Sequence, residues 1–257
     1  LIDATKLRFI WKKQAKILAF CCIFAAMNIA IILSGGVGCR MGKNTPKQYL
    51  MVGGKPIIRY CVETFSKDSL IDEIVICLAE EWKTFVQEAL TDILTEKPVL
   101  YSAPGRTRQL TIYNALKMLA ARGTGAEDIV VIHDAARPLV SRKLIDACLE
   151  ENRHCDGVLP VIPVKDTIYM SNDGSHIKAL LDRNTLFAGQ APESFVFGKY
   201  LRIHDDMPEA EIEKINGSSE IAQKSGLEVH LIPGDSMNFK ITTPDDLSTF
   251  QTIICDH

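Results

Sequence analysis

The sequence predicts an α/β fold: a doubly wound, mostly parallel sheet with helices on both faces and a protruding β-hairpin arm. Three observations carry this. Short apolar runs rich in β-branched residues alternate with stretches of helical periodicity through the first 150 residues. The first run, NIAIIL at 28–33, empties straight into a glycine-rich turn, as strand–loop–helix units do. Further on, two extended segments flank the turn-forming triplet NDG at 172–174.

Taken in order, NIAIIL reads as a fully buried strand because nothing in it alternates polar with apolar. PIIRYCVETFSKD sets Ile57, Ile58, Cys61, Val62 and Phe65 on one helical face. IDEIVICLA is strand-like, EEWKTFVQEALTDIL helical, and KPVLYSA a short strand. A helix over about 108–121 leads to the strand DIVVIHDA, and SRKLIDACLEEN is helical again. The segments GVLPVIPVKDTIYMS and SHIKALLDRNTLF form the arm, at about 160–187. An arm with so little core of its own needs a partner surface, which predicts a homodimer.

A length of 257 residues suits one large domain, expected over 27–257. The formal net charge of -3 gives no general attraction to nucleic acid or an anionic membrane, so any anion site must be local. Eight scattered cysteines without CxxC pairs read as reduced thiols in a cytoplasmic protein. Residues 1–26 carry a basic stretch and then an apolar run, the outline of a signal peptide or short anchor. That run flows unbroken into the buried strand, so 1–26 is expected to be an extension upstream of Met27, outside the fold.

Four segments could carry chemistry. In SGGVGCRMGKNTPKQ, glycines let backbone N–H groups approach a phosphate closely. A P-loop would need Lys-Ser or Lys-Thr after the last glycine, and Gly42-Lys43-Asn44 fails it. A dinucleotide fingerprint would need glycine or alanine where Met41 stands. What remains is a glycine turn with Arg40 and Lys47 behind it, two permanent cations suited to a polyphosphate. Lys43 is read as a solvated charge and Cys39 as a small turn filler. The second segment, VVIHDAARP, ends a buried strand in Asp134 and Arg137. Asp134 could hold a ribose hydroxyl or a Mg²⁺ that bridges phosphates, or simply pair with Arg137 to end the strand. His133, inside the strand, reads as structural. The third, APGRTRQLTIYNAL, opens a helix with Gly105, Arg108 and Thr111, groups able to read a base edge or a phosphate. The fourth, NFKITTPDDL, places Lys240 on an expected strand before a helix start.

GGxGxRM followed by PKQ, HDAARP and NxKIT, in this order and at these spacings, resembles the nucleotidyltransferases that activate sugar-alcohol phosphates with CTP. These are the group of 2-C-methyl-D-erythritol 4-phosphate and ribitol-5-phosphate cytidylyltransferases, and the likeness spans residue 27 to about 254. The resemblance implies a Rossmann-like nucleotidyltransferase domain that transfers CMP from CTP and releases pyrophosphate. It implies that Leu33, Ser34, Gly35, Gly36 and Gly38 wrap the CTP, with Gly105, Arg108 and Thr111 near the cytosine. Asp134 and Ala135 would lie by the ribose and the phosphates, with Asp134 on Mg²⁺ or another divalent cation. Arg40 and Lys47 would stabilise the transition state, while Arg183, reaching a neighbouring subunit's site from the arm, and Lys240 would position the acceptor phosphate.

Two departures fall on the acceptor side. Gln190-Ala191-Pro192-Glu193 stands where the family has Gln-Thr-Pro-Gln, and Asn216-Gly217-Ser218 where it has Thr-Asp-Asp or Thr-Asp-Glu. Asn216, Ser218 and Ser219 are the expected replacement donors. Pro163-Val164-Lys165-Asp166-Thr167 with Leu181-Asp182-Arg183 leans toward the erythritol enzymes of the isoprenoid precursor pathway, and Gly189-Gln190 toward the ribitol enzymes of cell-surface polymer synthesis. The first is the expectation taken. A rival class, a nicotinamide-dependent oxidoreductase on the same glycine turn, would hold a ribose with Glu80 or Glu81 and leave Lys47, Arg183 and Lys240 without a task.

Overall fold

The computed structural model describes residues 26–36, 45–93 and 97–255. Gly38 and Arg40, with Cys39 and Lys43, lie outside the described residues, as does the expected extension apart from residue 26.

The central sheet has eight strands. Strand β1 (Asn28–Leu33) lies between β4 (Glu73–Cys77) and β6 (Ile129–Asp134), parallel to both, and β5 (Val99–Ser102) extends the sheet beyond β4. Two short strands, β2 (Met51–Val52) and β3 (Lys55–Pro56), pair separately. The register brings Leu33 level with Cys77 and Asp134, and Cys77 level with Ser102. These strands therefore end together, and open α/β sheets bind ligands at such carboxyl edges.

Alternation along β1 assigns its side chains to two cores. Ile29 and Ile31 face a layer containing Ile112, Leu116 and Leu119 of α3 (Arg108–Ala121) and Tyr200 of α5 (Phe197–Asp205). Ala30 and Ile32 face Ile58, Cys61, Val62 and Phe65 of α1 (Ile57–Ser66), Val86 and Leu90 of α2 (Lys83–Leu90), and Ile145 of α4 (Arg142–Glu151). The apolar face read from residues 57–65 is entirely buried. Each such isoleucine or phenylalanine is worth roughly 1.5–3 kcal/mol of transfer free energy. Helix α3 starts where Thr107 accepts the Leu110 N–H at 3.2 Å and stops at Gly123, whose φ of +89° suits glycine.

The second half is wound differently. Strand β7 (Gly157–Pro163) pairs in parallel with β12 (Val229–Pro233) along one side. On the other side, antiparallel β11 (Glu193–Val196) pairs with its start and β10 (Phe187–Gly189) with its end. Strand β11 also pairs with β6 and so joins the two halves. The arm expected at about 160–187 is narrower than that, because residues 157–163 are taken into the central sheet as β7; it is the antiparallel pair β8 (Ile168–Met170) and β9 (Ala179–Leu181), and it exposes Tyr169, Ile177 and Leu180. Helices α6 (Glu209–Ile212) and α7 (Ser218–Lys224) precede β12, and α8 (Pro244–Cys255) closes the chain over Ile57 and Ile241.

One expected strand is absent. Lys240 lies in a loop, because residues 238–243 form no ladder; the Ile241 N–H donating to the Ala136 carbonyl at 2.8 Å pins this segment instead. The described cysteines, Cys61, Cys77, Cys148, Cys155 and Cys255, are free thiols, and burial pushes Cys61 and Cys77 up to about 12.

His133 is fully buried and neutral, its ring 3.0 Å from the Arg137 carbonyl, with burial pushing its pKa down to about 4. His204 is buried on α5 between Tyr200, Gln109 and Tyr113, and burial lowers it likewise to about 4, against smaller upward pulls from the Tyr200 carbonyl and Asp205. A depressed histidine pKa means that the unfolded chain binds a proton the fold refuses. Stability from His204 is thus complete above about pH 6.5 and lost progressively toward about pH 4, by about 3 kcal/mol. Denaturant midpoints at pH 7.5 and 4.5 are expected to differ more for the native protein than for His204→Gln. Equal differences would remove His204 from the acid response.

Candidate active site

At the end of β1 the chain turns through Ser34, Gly35 and Gly36, and the turn is held from the segment 46–49. The Ser34 N–H donates to the Cys77 carbonyl at 2.8 Å, continuing the ladder by one residue. Its hydroxyl donates to the Tyr49 hydroxyl at 2.9 Å, which donates back to the Ser34 carbonyl at 3.0 Å. Gln48 Nε2 donates to the carbonyls of Ser34 and Gly36 at 2.7 and 2.9 Å. Tyr49 stacks on Trp82, and burial raises its pKa. In PKQ, then, the glutamine is the staple of the glycine turn, and Lys47 opens the 3-10 turn Lys47–Tyr49 beside it. Gly35 has no substitute here: a Cβ on it would sit 2.4 Å from Pro104 Cβ.

That proline leads into the loop before α3. A Cβ on Gly105 would stand 2.5 Å from Leu110 Cβ, so the loop folds flat onto the first turn of the helix. The Gly105 N–H donates to Thr111 Oγ1 at 2.9 Å, and that hydroxyl donates to the Thr107 carbonyl at 2.9 Å. Thr111 thus closes the loop, and its neighbours Gly35 and Pro104 bring the β1 and β5 corners into contact.

Asp134 is the centre of charge. Arg108 Nε lies 3.2 Å from Oδ1, while Lys240 Nζ and Arg137 Nε lie 2.9 and 3.6 Å from Oδ2. Burial alone would raise the carboxyl pKa, but Arg108, Lys240 and Arg137 outweigh it and hold the group far below the ordinary carboxylate range. Arg108 answers in kind: burial works against its charge, and Asp134 and Glu193 overcome this and raise its pKa. The Ala135 N–H donates to the Leu33 carbonyl at 3.0 Å, which fixes Asp134 beside the glycine turn.

Lys240 reaches Asp134 from a loop fastened at its base. Asn238, fully buried, donates to the Ala191 carbonyl at 2.6 Å, and its own carbonyl accepts from Arg137 Nη1 at 2.8 Å. Gln190 Nε2 donates to the Asp235 carbonyl at 2.9 Å and its oxygen accepts the Asp235 N–H at 3.0 Å. These contacts give loop residue Lys240 the fixed position that a strand was expected to supply.

Sequence reasoning missed Glu193 as a member of this cluster. One of its oxygens is 3.3 Å from Arg108 Nη2, and the other accepts the Ser219 N–H and hydroxyl at 2.9 and 2.7 Å. Arg108 Nη1 donates to Ser218 Oγ at 2.6 Å. Ser218 is fully buried, so of the three expected replacement donors, two turn inward and only Asn216 stays exposed. The one available signal was a glutamate beside a buried strand. The structure therefore joins Asp134, Arg108 and Lys240 directly and sets Leu33, Ser34, Gly35, Gly36, Gly105, Thr111 and Ala135 around them. Arg183 sits on the 3-10 turn Arg183–Thr185 at the arm, donating to the Lys165 carbonyl at 3.0 Å.

The family model described as IspD, 2-C-methyl-D-erythritol 4-phosphate cytidylyltransferase, matches residues 28–256. The chain belongs to this family. Within it, the chain is 35% identical over 231 residues to the 2-C-methyl-D-erythritol 4-phosphate cytidylyltransferase of Clostridium acetobutylicum, covering 89% of this chain and 97% of that protein. It is 33% identical over 229 residues to the ribitol-5-phosphate cytidylyltransferase of Streptococcus agalactiae serotype Ia, covering 88% and 95%. A solved 4-diphosphocytidyl-2C-methyl-D-erythritol synthase superposes with a TM-score of 0.75 at 26% identity, covering 90% of this chain and 99% of that one. The fold is also that of the Anaerococcus prevotii synthase, with a TM-score of 0.77 at 21% identity, covering 90% and 96%.

Membership of the IspD family makes this protein a CTP-dependent cytidylyltransferase, a nucleotidyltransferase, and rules out the oxidoreductase reading. The acidic residues that reading relied on, Glu80 and Glu81, are both exposed. Glu80 is solvated and pairs with Lys83 at 3.2 Å within one turn.

Proposed function

We propose that this IspD-family domain, spanning 27–257, transfers CMP from CTP to 2-C-methyl-D-erythritol 4-phosphate. The observation that carries the reading is the Asp134 cluster, an ionised carboxylate ringed by Arg108, Arg137 and Lys240 beside a stapled glycine turn. An acceptor phosphate oxygen is already an anionic nucleophile. It forms a bond to the α-phosphorus of CTP as the bond to the bridging oxygen breaks, and that electron pair leaves with pyrophosphate. No proton has to be removed, so the protein's task is alignment and neutralisation of charge.

Each residue takes its part in that task. Leu33, Ser34, Gly35, Gly36 and Gly38 cradle the triphosphate, while Gly105 and Thr111 shape the base pocket and Arg108 orients Asp134 below it. Ala135 stands by the ribose. Arg40 and Lys47 meet charge developing on the transferring phosphoryl, and Lys240 holds the acceptor phosphate. Arg183 serves the neighbouring subunit of a homodimer built on the 160–187 arm, whose exposed Tyr169, Ile177 and Leu180 offer the apolar surface for pairing.

A divalent cation such as Mg²⁺ would be held here mainly by the CTP phosphates and water, with Asp134, whose oxygens already face Arg108, Arg137 and Lys240, the one carboxylate beside it. It commonly takes one or two carboxylates and completes its shell with substrate phosphates and water, and Asp134 is one carboxylate held ionised. Among the described residues no cluster of three acidic, histidine or cysteine side chains offers a separate metal cage. When bound, the ion would neutralise phosphate charge and polarise the α-phosphoryl group. The free thiols support a cytoplasmic setting, and no described helix is long and apolar enough to cross a membrane.

Ribitol 5-phosphate is the second reading of the acceptor, favoured by Ala191 and by the inward turn of Ser218 and Ser219, which remove the hydroxyls expected in an erythritol pocket. Purified protein with CTP, Mg²⁺ and a panel of polyol phosphates should release pyrophosphate fastest with 2-C-methyl-D-erythritol 4-phosphate. A faster reaction with ribitol 5-phosphate would exchange the two readings, and no release with any acceptor would remove both.

A further inference from the structure

Glu193 is nearly inaccessible at the start of β11, a strand whose every residue is buried. Burying a carboxylate costs several kcal/mol unless its partners are well placed, and an apolar residue of similar size often does as well for stability alone. Glu193 shares the neutralisation of Arg108 with Asp134, whose single charge also faces Arg137 and Lys240, but that occupies only one of its oxygens. What Glu193 adds is on its other oxygen. There the Ser219 N–H and hydroxyl both donate, so one carboxylate ties the first residue of α3 to the first turn of α7.

The same turn is gripped from behind. The fully buried Tyr200 hydroxyl donates to the Ser218 carbonyl at 3.1 Å and accepts from Gln109 Nε2 at 3.0 Å. Gln109 also donates to His204 Nε2 at 2.7 Å, whose Nδ1–H donates to the Tyr200 carbonyl at 2.7 Å. The Tyr200 ring lies flat on Phe195 of β11 with centroids 4.0 Å apart. Buried polar networks define geometry where their members are satisfied, as Tyr200 and His204 are here while Gln109 Oε1 has no partner, and this one leaves Asn216 standing exposed in front of the held turn. The nucleotide side is held chiefly by other bonds, through Gln48, Tyr49 and Thr107, and meets Glu193 only at Arg108, which Asp134 also holds.

We infer that Glu193 is a positioning residue for the acceptor half of the site, acting through Ser219 and Arg108 to fix the turn 216–219 where the phosphorylated polyol is read. The inference rests on the cytidylyltransfer reading given above. Its test is steady-state kinetics with the acceptor and CTP varied separately, on Glu193→Gln, Ser219→Ala and Ser219→Thr. Glu193→Gln keeps an oxygen for Ser219 but loses its charge toward Arg108. It should raise the acceptor KM about tenfold, as expected for weakening a hydrogen bond to a charged group, with the CTP KM within about twofold. Ser219→Ala should raise the acceptor KM in the same direction, and Ser219→Thr, which keeps the hydroxyl, should restore it. Combining Glu193→Gln with Ser219→Ala should cost less than the product of the two, because they share one contact.

Equal rises in both KM values, or lower thermal stability with unchanged kinetics, would overturn the positioning role. Should Glu193→Gln fail to fold, the Ser219 pair decides alone. Absence of turnover by the unaltered protein would overturn the cytidylyltransfer reading and this inference with it, whereas turnover with acceptor KM unmoved overturns the inference only.

Discussion

Asp134→Asn is expected to abolish pyrophosphate release, by about three orders of magnitude or more, and to destabilise the fold by about 3–5 kcal/mol. Asparagine keeps the shape and removes the charge, leaving Arg108, Arg137 and Lys240 with one anion fewer among them. The amide nitrogen must also face a cation, since both carboxylate oxygens have cationic neighbours. Pyrophosphate release measures the first effect and the urea midpoint at pH 7.5 the second. An unchanged midpoint, or activity within tenfold of the native protein, would show that the cluster is not the centre described. The acid dependence separates Asp134 from other groups. Its folded pKa is depressed, so its stabilisation is complete above the ordinary carboxylate pKa, about pH 4, and is lost only in stronger acid. Any loss between pH 6.5 and 4.5 comes from elsewhere, and the buried histidines His133 and His204, both pushed down to about 4 by burial, are described groups placed to cause it.

Lys47→Ala should lower kcat by about 100- to 1000-fold while moving the CTP KM by about threefold or less. The reason is timing of charge. On the proposed reading several backbone and side-chain groups would share the ground-state triphosphate, whereas negative charge on the equatorial and leaving oxygens grows only as the bond to α-phosphorus breaks. Lys47 begins the 3-10 turn whose next two residues staple the glycine corner, so its backbone is anchored by Gln48 and Tyr49. A variant that loses CTP affinity in proportion to kcat/KM, with kcat intact, would make Lys47 a binder and not a participant in the transition state.

The parts of this molecule that were legible in the sequence are those decided by local pattern. The apolar face of residues 57–65 and the helix 108–121 follow from a 3.6-residue period, a Thr cap and a closing glycine, all within one segment. The run NIAIIL declared itself as a two-faced buried strand, and the NDG turn as the tip of a hairpin, but the arm read at about 160–187 is a separate pair only over 168–181, because strand 157–163 finds partners in the central sheet. The misreading of Lys240 has a different origin. FKIT has strand composition, but a strand exists only if a neighbour offers its edge, and here Ala136, Gln190 and Ala191 hold the segment by single contacts. The role of Glu193 was hidden for the same reason. Its partners are Arg108 and Ser219, 85 and 26 residues away, and nothing local marks a glutamate as the link between them. Gln48 was seen only as a letter between two better signals, because a side chain that braces backbone carbonyls has no periodicity to betray it.

The double partnering of β7 has a consequence for how the chain can assemble. One side of β7 is covered by β10 and β11, within about 40 residues downstream of it, and the other, among the described residues, by β12 at residues 229–233. During synthesis the second side stays an open row of main-chain donors and acceptors until that last strand has emerged, and open edges of this kind recruit other chains. The segment from residue 229 onward is therefore a cap on aggregation as well as the carrier of Lys240. A chain cut before residue 229 would lose solubility along with any catalytic contribution of that lysine.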